Sequence, residues 1–160
     1  MLGLLDETKT AENLDRVPEC VVNLPSPDMW PKVEALAPLT GKNSVPENKA
    51  KQFRFEADKF AAAQLTRLAS ELVKPMRVLE CPVQLEARVA RLHRMGGERL
   101  KQLGGGITAE IEVIRVHVSR ELLLGENYID PAQWSPLIYN SRLYFELADD
   151  ELGKTLRAEE

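Results

Sequence analysis

The stretch Ile129-Asp-Pro-Ala-Gln-Trp-Ser-Pro-Leu-Ile-Tyr-Asn-Ser-Arg-Leu-Tyr-Phe145 reads as a tight turn, a proline-punctuated step and a short aromatic-rich closing strand. It follows the strand-like run Ile107 to Val118, which pairs by pattern with Val83 to Leu92. Both runs alternate apolar and polar residues, the period of a half-buried strand. They are joined across Gly96-Gly97 and Gly104-Gly-Gly106, so a long hairpin is predicted. In the second run the apolar residues sit at Ile107, Ala109, Ile111 and Val113, then change phase to Ile114, Val116 and Val118. A one-residue slip moves side chains to the opposite face, so a β-bulge or a strand buried on both faces is required near Val113.

The first third of the chain is readable from its punctuation. Thr8 to Val17 is predicted to be a short helix, capped by Thr8 or Thr10 and stopped by Pro18. Glu19 to Leu24 reads as a strand ended by Pro25-Ser-Pro27. A second helix is expected from Ser26-Pro-Asp28, with Trp30, Val33, Leu36 and Ala37 on one apolar face. From about 39 to 67 the chain is polar and interrupted, with Phe53, Phe55 and Phe60 among mixed charges, and a helical insertion is expected there. Its aromatics suit either a satellite core or a ligand cover.

Composition narrows the function classes. With 160 residues and a net charge of -4, the chain has the length of a single domain, and 1–160 is read as one unit able to bury roughly two-thirds of its unfolded surface. No apolar run approaches the roughly 20 residues that span a bilayer. Met1-Leu-Gly-Leu-Leu lacks a basic region and is too short for an export signal, so the cytoplasm is expected. A negative balance argues against nucleic acid as a partner, because phosphate-backbone binders concentrate Lys and Arg on one face. Cys20 and Cys81 lie far apart in apolar stretches and read as small buried hydrophobes. Gly104-Gly-Gly106 lacks the spacing of a nucleotide loop and precedes a strand, so it reads as a turn.

Three segments taken together resemble the flavin reductase-like, FMN-binding split-barrel family: the closing stretch above, Thr10-Ala-Glu-Asn-Leu with Glu19-Cys-Val-Val-Asn-Leu24, and Ser70-Glu-Leu-Val-Lys-Pro75 with Glu80-Cys-Pro-Val-Gln-Leu-Glu-Ala-Arg-Val89. The resemblance implies a mainly β fold with peripheral helices (α+β), a split β-barrel. It also implies strands ahead of the first helix, of which this chain has room only for Met1-Leu-Gly-Leu-Leu, so a barrel incomplete at its N-terminus is expected. The implied activity is that of an FMN-binding oxidoreductase with NAD(P)H as electron donor. The resemblance further implies hydride transfer from nicotinamide to flavin in a homodimer, with a flavin-dependent monooxygenase as a partner supplied with reduced flavin. The alternative is a truncated split-barrel protein without reductase activity, serving as a binding or interaction module.

Residue by residue, the resemblance places the flavin phosphate at Lys9 and Thr10, beside Thr8, with Asn13 holding the loop. Exposed N–H groups and the positive end of the helix dipole make that chemistry reasonable, while plain capping by Thr8 is the structural alternative. Asp6 and Glu7 just upstream would oppose an anion unless turned away. Tyr139, Arg142 and Tyr144, with Asn140, are read as bordering the flavin or a subunit interface, or simply as an alternating closing strand. His117 is the catalytic candidate, an imidazole able to donate a hydrogen bond near the reacting ring; an ordinary strand histidine is the alternative. His93 and His117 would face each other if the hairpin were centred on Gly105, yet two imidazoles without further ligands do not make a zinc site, and no metal is expected. The tail Gly153-Lys-Thr-Leu-Arg157 is either part of a dimer contact or solvated.

Overall fold

In the computed structural model of the chain, which describes residues 1–45, 47, 49–102 and 105–148, two 13-residue strands dominate: β7 (Val83–Met95) and β8 (Gly106–Val118). Their alternating side chains give the hairpin that the sequence predicts. Two further strands flank it: β1 (Leu2–Leu5) pairs with β8 and β2 (Glu19–Leu24) with β7, all antiparallel, in the order β1-β8-β7-β2. The sheet curls into a half-barrel of the split-barrel type.

The phase change in β8 is absorbed by a bulge. Glu86 pairs with Arg115 and Ala87 with Val113, leaving Ile114 as the extra residue, and a second irregularity leaves Ala90 unpaired in β7. After the bulge, Ile111, Val113, Val116 and Val118 lie opposite Val89, Ala87, Leu85 and Val83. That face is thus apolar from Val83 to Val89 and from Ile111 to Val118. The other carries Glu112 opposite Arg88, Arg115 opposite Glu86 and His117 opposite Gln84.

The register also corrects an expectation. A short helix, α4 (Glu98–Gln102), occupies the hairpin connection, and Met95 pairs directly with Gly106. The hairpin is therefore centred near residue 100, not on Gly105, so His93 lies opposite Thr108 and His117 opposite Gln84. The two histidines do not meet. Gly105 keeps a turn role, with φ of 71°; Gly104 lies outside the described residues.

Helix α1 (Lys9–Arg16) starts at Thr8, whose hydroxyl oxygen accepts from the Ala11 N–H, and ends at Val17 before Pro18. It buries Ala11 and Leu14, one turn apart. After a turn at Pro27–Met29, α2 (Trp30–Leu36) buries none of its residues; Trp30 is 50% exposed. The apolar face expected for this helix is therefore not a core face, because Met29 in the preceding turn enters the core instead. Met29 packs with Val78 and Cys81, and Phe60 and Leu65 cover them.

The segment 39–67 is less helical than its sequence suggested. It holds a two-residue parallel ladder, β3 (Leu39–Thr40) with β4 (Arg54–Phe55), one four-residue helix, α3 (Lys59–Ala62), and the start of β5 (Arg67–Leu68). Without a sustained 3.6-residue apolar stripe, a helix gains too little from packing to propagate. β5 pairs with β6 (Arg77–Val78), and the closing hairpin pairs β9 (Ile138–Asn140) with β10 (Leu143–Phe145). Ser141 and Arg142 both have positive φ, the geometry that a two-residue hairpin turn requires. No described helix is long and apolar enough to cross a membrane.

Candidate functional site

At the N-terminus of α1 the chain encloses a cavity of about 270 Å³. Thr8, Lys9 and Thr10 line one side. Thr40, Gly41, Lys42, Lys49, Phe53 and Lys59 line the other, so the 39–60 excursion closes over the start of the helix. The N–H groups of Lys9 and Thr10 find no acceptor among the described residues, and they add to the positive end of the helix dipole. Lys9, Lys42, Lys49 and Lys59 line this cavity with Glu7, and Glu12 lies beside Lys9 and Lys42, so the concavity is cationic.

The charges here are already partly paired. Glu12 accepts from Lys9 at 2.9 Å and meets Lys42 at 2.8 Å, and these two lysines pull its carboxyl below the usual range. Glu7 lies 3.6 Å from Lys49. Lys59 donates to the Leu39 carbonyl at 2.9 Å, and burial lowers its ammonium pKa. Asp6, which the sequence marked as hostile to an anion, instead holds Arg94 at 2.6 Å on the other side of the turn. The Thr8 hydroxyl is committed as well, donating to the Leu5 carbonyl while capping the helix. Of the sequence-derived residues, Lys9 and Thr10 thus line the cavity with free backbone N–H groups, the Lys9 ammonium being held by Glu12, Thr8 builds its rim, and Asn13, one turn on, does not line it.

His117 lies elsewhere. From Gly106, the partner of Leu5, β8 runs roughly 35 Å to His117 at about 3.3 Å per residue. There its Nε2 is 2.7 Å from Oε1 of Glu86, which is fully buried. Glu86 also accepts from the N–H groups of Glu71 (2.9 Å), Leu72 (2.7 Å) and Val73 (3.2 Å). Burial alone would raise this carboxyl, but the Glu71 and Leu72 N–H groups and His117 outweigh it and hold it at about 2. A carboxylate that stays ionised orients His117 by accepting from Nε2–H, leaving Nδ1, 3.9 Å from Glu71, as the open nitrogen. Buried Arg77 completes the network, donating to the Ala69 carbonyl and to Gln84. A Glu at a polar position of a long strand gave no sequence signal of this role.

The third group sits on the closing hairpin. Tyr144 donates its hydroxyl to Glu34 at 2.9 Å and packs between Trp30 (6.1 Å) and Tyr139 (5.6 Å, edge-on). Burial, then the Glu34 carboxylate, raises its pKa. Tyr139 and Arg142 remain exposed. The Leu137 N–H donates to the Pro25 carbonyl, which ties this hairpin to the far end of β2, away from the α1 cavity. A more open cleft of about 590 Å³ nearby is lined by Asp28, Glu80, Glu121, Glu146 and Trp134, with no Lys or Arg. Its sign disfavours a phosphate, so the smaller cationic cavity is the better anion site.

The sequence-derived candidates therefore occupy three places, and Lys42, Lys49 and Lys59 join only through folding. Their one trace in the sequence is the lysine-rich character of 42–59. The tail 153–157 lies outside the described residues.

Comparison with known proteins agrees with this architecture. The chain is 42% identical over 161 residues to the uncharacterised protein YdfE of Bacillus subtilis (strain 168), covering 99% of this chain and 74% of that protein. Flavoredoxin of Desulfovibrio vulgaris (Miyazaki F) superposes with a TM-score of 0.70 at 21% identity, over 98% of this chain and 73% of that one. Nitrilotriacetate monooxygenase component B from Bacillus cereus gives 0.65 at 20% identity, over 91% and 64%. The chain thus spans between two-thirds and three-quarters of the length of most of these relatives, and slightly less of the last. The model of the flavin reductase like domain matches residues 1–148, and the chain belongs to that family.

Proposed function

We propose that this chain is a flavin-binding oxidoreductase of the NAD(P)H:flavin reductase type, with FMN as its flavin. The observation that carries the reading is the cationic cavity at the start of α1, in a chain of this family. Its donor set fits a phosphate monoester: two free backbone N–H groups at a helix N-terminus, the Thr10 hydroxyl, and Lys9, Lys42 and Lys49 within reach of one another. When bound, FMN supplies the ring that accepts a hydride from the nicotinamide, and the protein supplies anchoring and orientation.

Lys9 and Thr10 anchor the phosphate, and Thr8 keeps the helix start rigid. Asn13 braces the same turn. Tyr139 and Tyr144 offer faces for a planar ring, with Arg142 beside them as a donor to carbonyl oxygen. His117 serves through Nδ1, its other nitrogen being held by Glu86. Because cavity and hairpin lie at opposite ends of the sheet, this assignment calls for a ligand spread along the barrel or shared between two copies, in keeping with a homodimer. The name of the Bacillus cereus relative supports a monooxygenase as recipient of the reduced flavin, and the setting we propose is the cytoplasm.

A second reading, a split-barrel binding module without reductase activity, is favoured by one observation: Glu12 and Glu7 already neutralise Lys9, Lys42 and Lys49. Titration with FMN, followed by flavin fluorescence, separates the two. The reductase reading expects saturable quenching at one FMN per chain, weakened about tenfold or more by Lys9→Ala or Thr10→Val, as for loss of one charge-assisted contact, and NAD(P)H-dependent bleaching of the bound flavin. Folded protein that leaves FMN fluorescence unchanged would refute it in favour of the module.

A further inference from the structure

Glu12 ties the two walls of the α1 cavity together. One of its carboxylate oxygens accepts from Lys9 at 2.9 Å and the other meets Lys42 at 2.8 Å, so a single anion bridges the helix start and the 39–60 excursion. The excursion lies that close because residue 41 is glycine: an added Cβ there would stand 3.2 Å from Cγ of Lys9. Glu7 pairs with Lys49 at 3.6 Å. Both carboxylates are nearly half exposed, at 43% and 48%. Each can therefore turn into water when another anion takes its lysines.

The chain thus carries its own competitor for any anion that enters. A tethered carboxylate competes at an effective concentration in the millimolar range. A monoanion in its place returns about the same attraction to Lys9 and Lys42, because Coulomb energy at equal distance scales with charge, and so gains little; a dianion doubles that attraction. The size of the cavity acts in the same direction. About 270 Å³ is below the roughly 300–1,000 Å³ of pockets that bury a whole small ligand, so the cavity takes one end of a ligand. A terminal phosphate suits it. A phosphate inside a longer chain, as in FAD, has to find room for an adenosine beyond it.

We infer that Glu12, assisted by Glu7, is a specificity determinant of this site: it reserves Lys9 and Lys42 for a phosphate monoester in its dianionic form, selecting FMN over FAD and riboflavin. This selectivity rests on the reading of the α1 cavity as the flavin phosphate site, and it gives the carboxylates that partly neutralise the lysines a role there. A monoester gains its second negative charge near pH 6, whereas the diester phosphates of FAD and the uncharged side chain of riboflavin do not titrate in that range. The charged groups around the cavity are Glu7, Lys9, Glu12, Lys42, Lys49 and Lys59, and no histidine lines it. Lys42 and Lys9 hold the Glu12 carboxyl below the usual range, so the filter is already in place at pH 5.

The test is calorimetric titration of the chain with FMN, FAD and riboflavin at pH 5 and pH 7.5, with circular dichroism to verify folding at both. FMN is expected to bind at one per chain and about tenfold more tightly at pH 7.5, the ratio of dianion present at the two pH values. FAD and riboflavin should bind at least about tenfold more weakly than FMN at pH 7.5, with affinities level across the range. Glu12→Gln should admit the monoanion, so that the pH rise for FMN shrinks and FAD gains more affinity than FMN does. Lys42→Gln should lower FMN affinity about tenfold and leave riboflavin unchanged. FMN that binds equally at both pH values, FAD or riboflavin that binds as well as FMN, or an E12Q variant with the wild-type pH profile and FMN-to-FAD ratio overturns the charge filter and leaves the phosphate site standing. A folded chain that binds none of the three flavins overturns site and filter together.

Discussion

Replacing Glu86 by Gln tests the reasoning about the buried network most directly. The carboxylate is fully buried and accepts four hydrogen bonds, two at each oxygen: Glu71 N–H and His117 at Oε1, Leu72 and Val73 N–H at Oε2. An amide keeps one oxygen. Its NH2 group then points at two donors, which lose their acceptor inside the protein at about 1–3 kcal/mol each. The sum, about 2–6 kcal/mol, brackets the roughly 3–5 kcal/mol that breaking a buried charged pair costs. With a urea m-value of about 2 kcal/mol/M, the midpoint should fall by roughly 2 M with m unchanged, and Tm by about 10 °C. Glu71→Gln is the control, because that carboxylate is 52% exposed and 3.9 Å from His117; it should shift stability by about 0.5 kcal/mol or less. The pH dependence gives an independent reading. Glu86 is held at about 2 against an ordinary 4.5, so its contribution is complete above about pH 4.5 and is lost as pH falls toward 2. The gap between wild type and E86Q should narrow over that window. A loss below about 1 kcal/mol, or a gap constant from pH 6 to pH 2.5, would refute the account of this carboxylate as the anchor of the 69–75 loop.

Other consequences can be checked more briefly. Gly105 has φ of 71°, and an added Cβ would lie 3.1 Å from Cβ of Asp6; Gly105→Ala should cost about 1–2 kcal/mol in urea unfolding, and a neutral result would mean the turn relaxes freely. Glu12→Gln releases Lys9 and Lys42 and should tighten FMN binding several-fold, so an unchanged or weaker affinity in the fluorescence titration would place the anion elsewhere. Burial, then the charge of Glu80, pushes the Cys81 thiol up to about 11. At pH 8 it should resist a disulfide-exchange reagent until the protein is unfolded, and rapid reaction of both cysteines in the native state would contradict its place in the core.

Several features of this molecule were fixed by local chemistry. Thr8 and Pro18 bracket α1 because a hydroxyl can satisfy an early N–H and a proline cannot continue the helix. The apolar phase change at Val113 and Ile114 demanded a bulge, since side chains alternate with a strict period of two. Family membership was legible for a related reason, in that turn and strand residues recur at spacings which the barrel imposes. None of this needed knowledge of distant contacts.

What folding alone decided were the long-range meetings. The register of β7 with β8 depends on a helix inside the hairpin connection, which moved the centre away from Gly105 and parted His93 from His117. Lys42, Lys49 and Lys59 reach the start of α1 because a polar excursion folds back across it, and Glu86 becomes an anchor because three N–H groups of a remote loop converge on it. A sequence records which groups can donate, accept or carry charge. Which of them share a cavity is settled by loop closure and sheet register, whose free energies are spread over the whole chain and have no local signature.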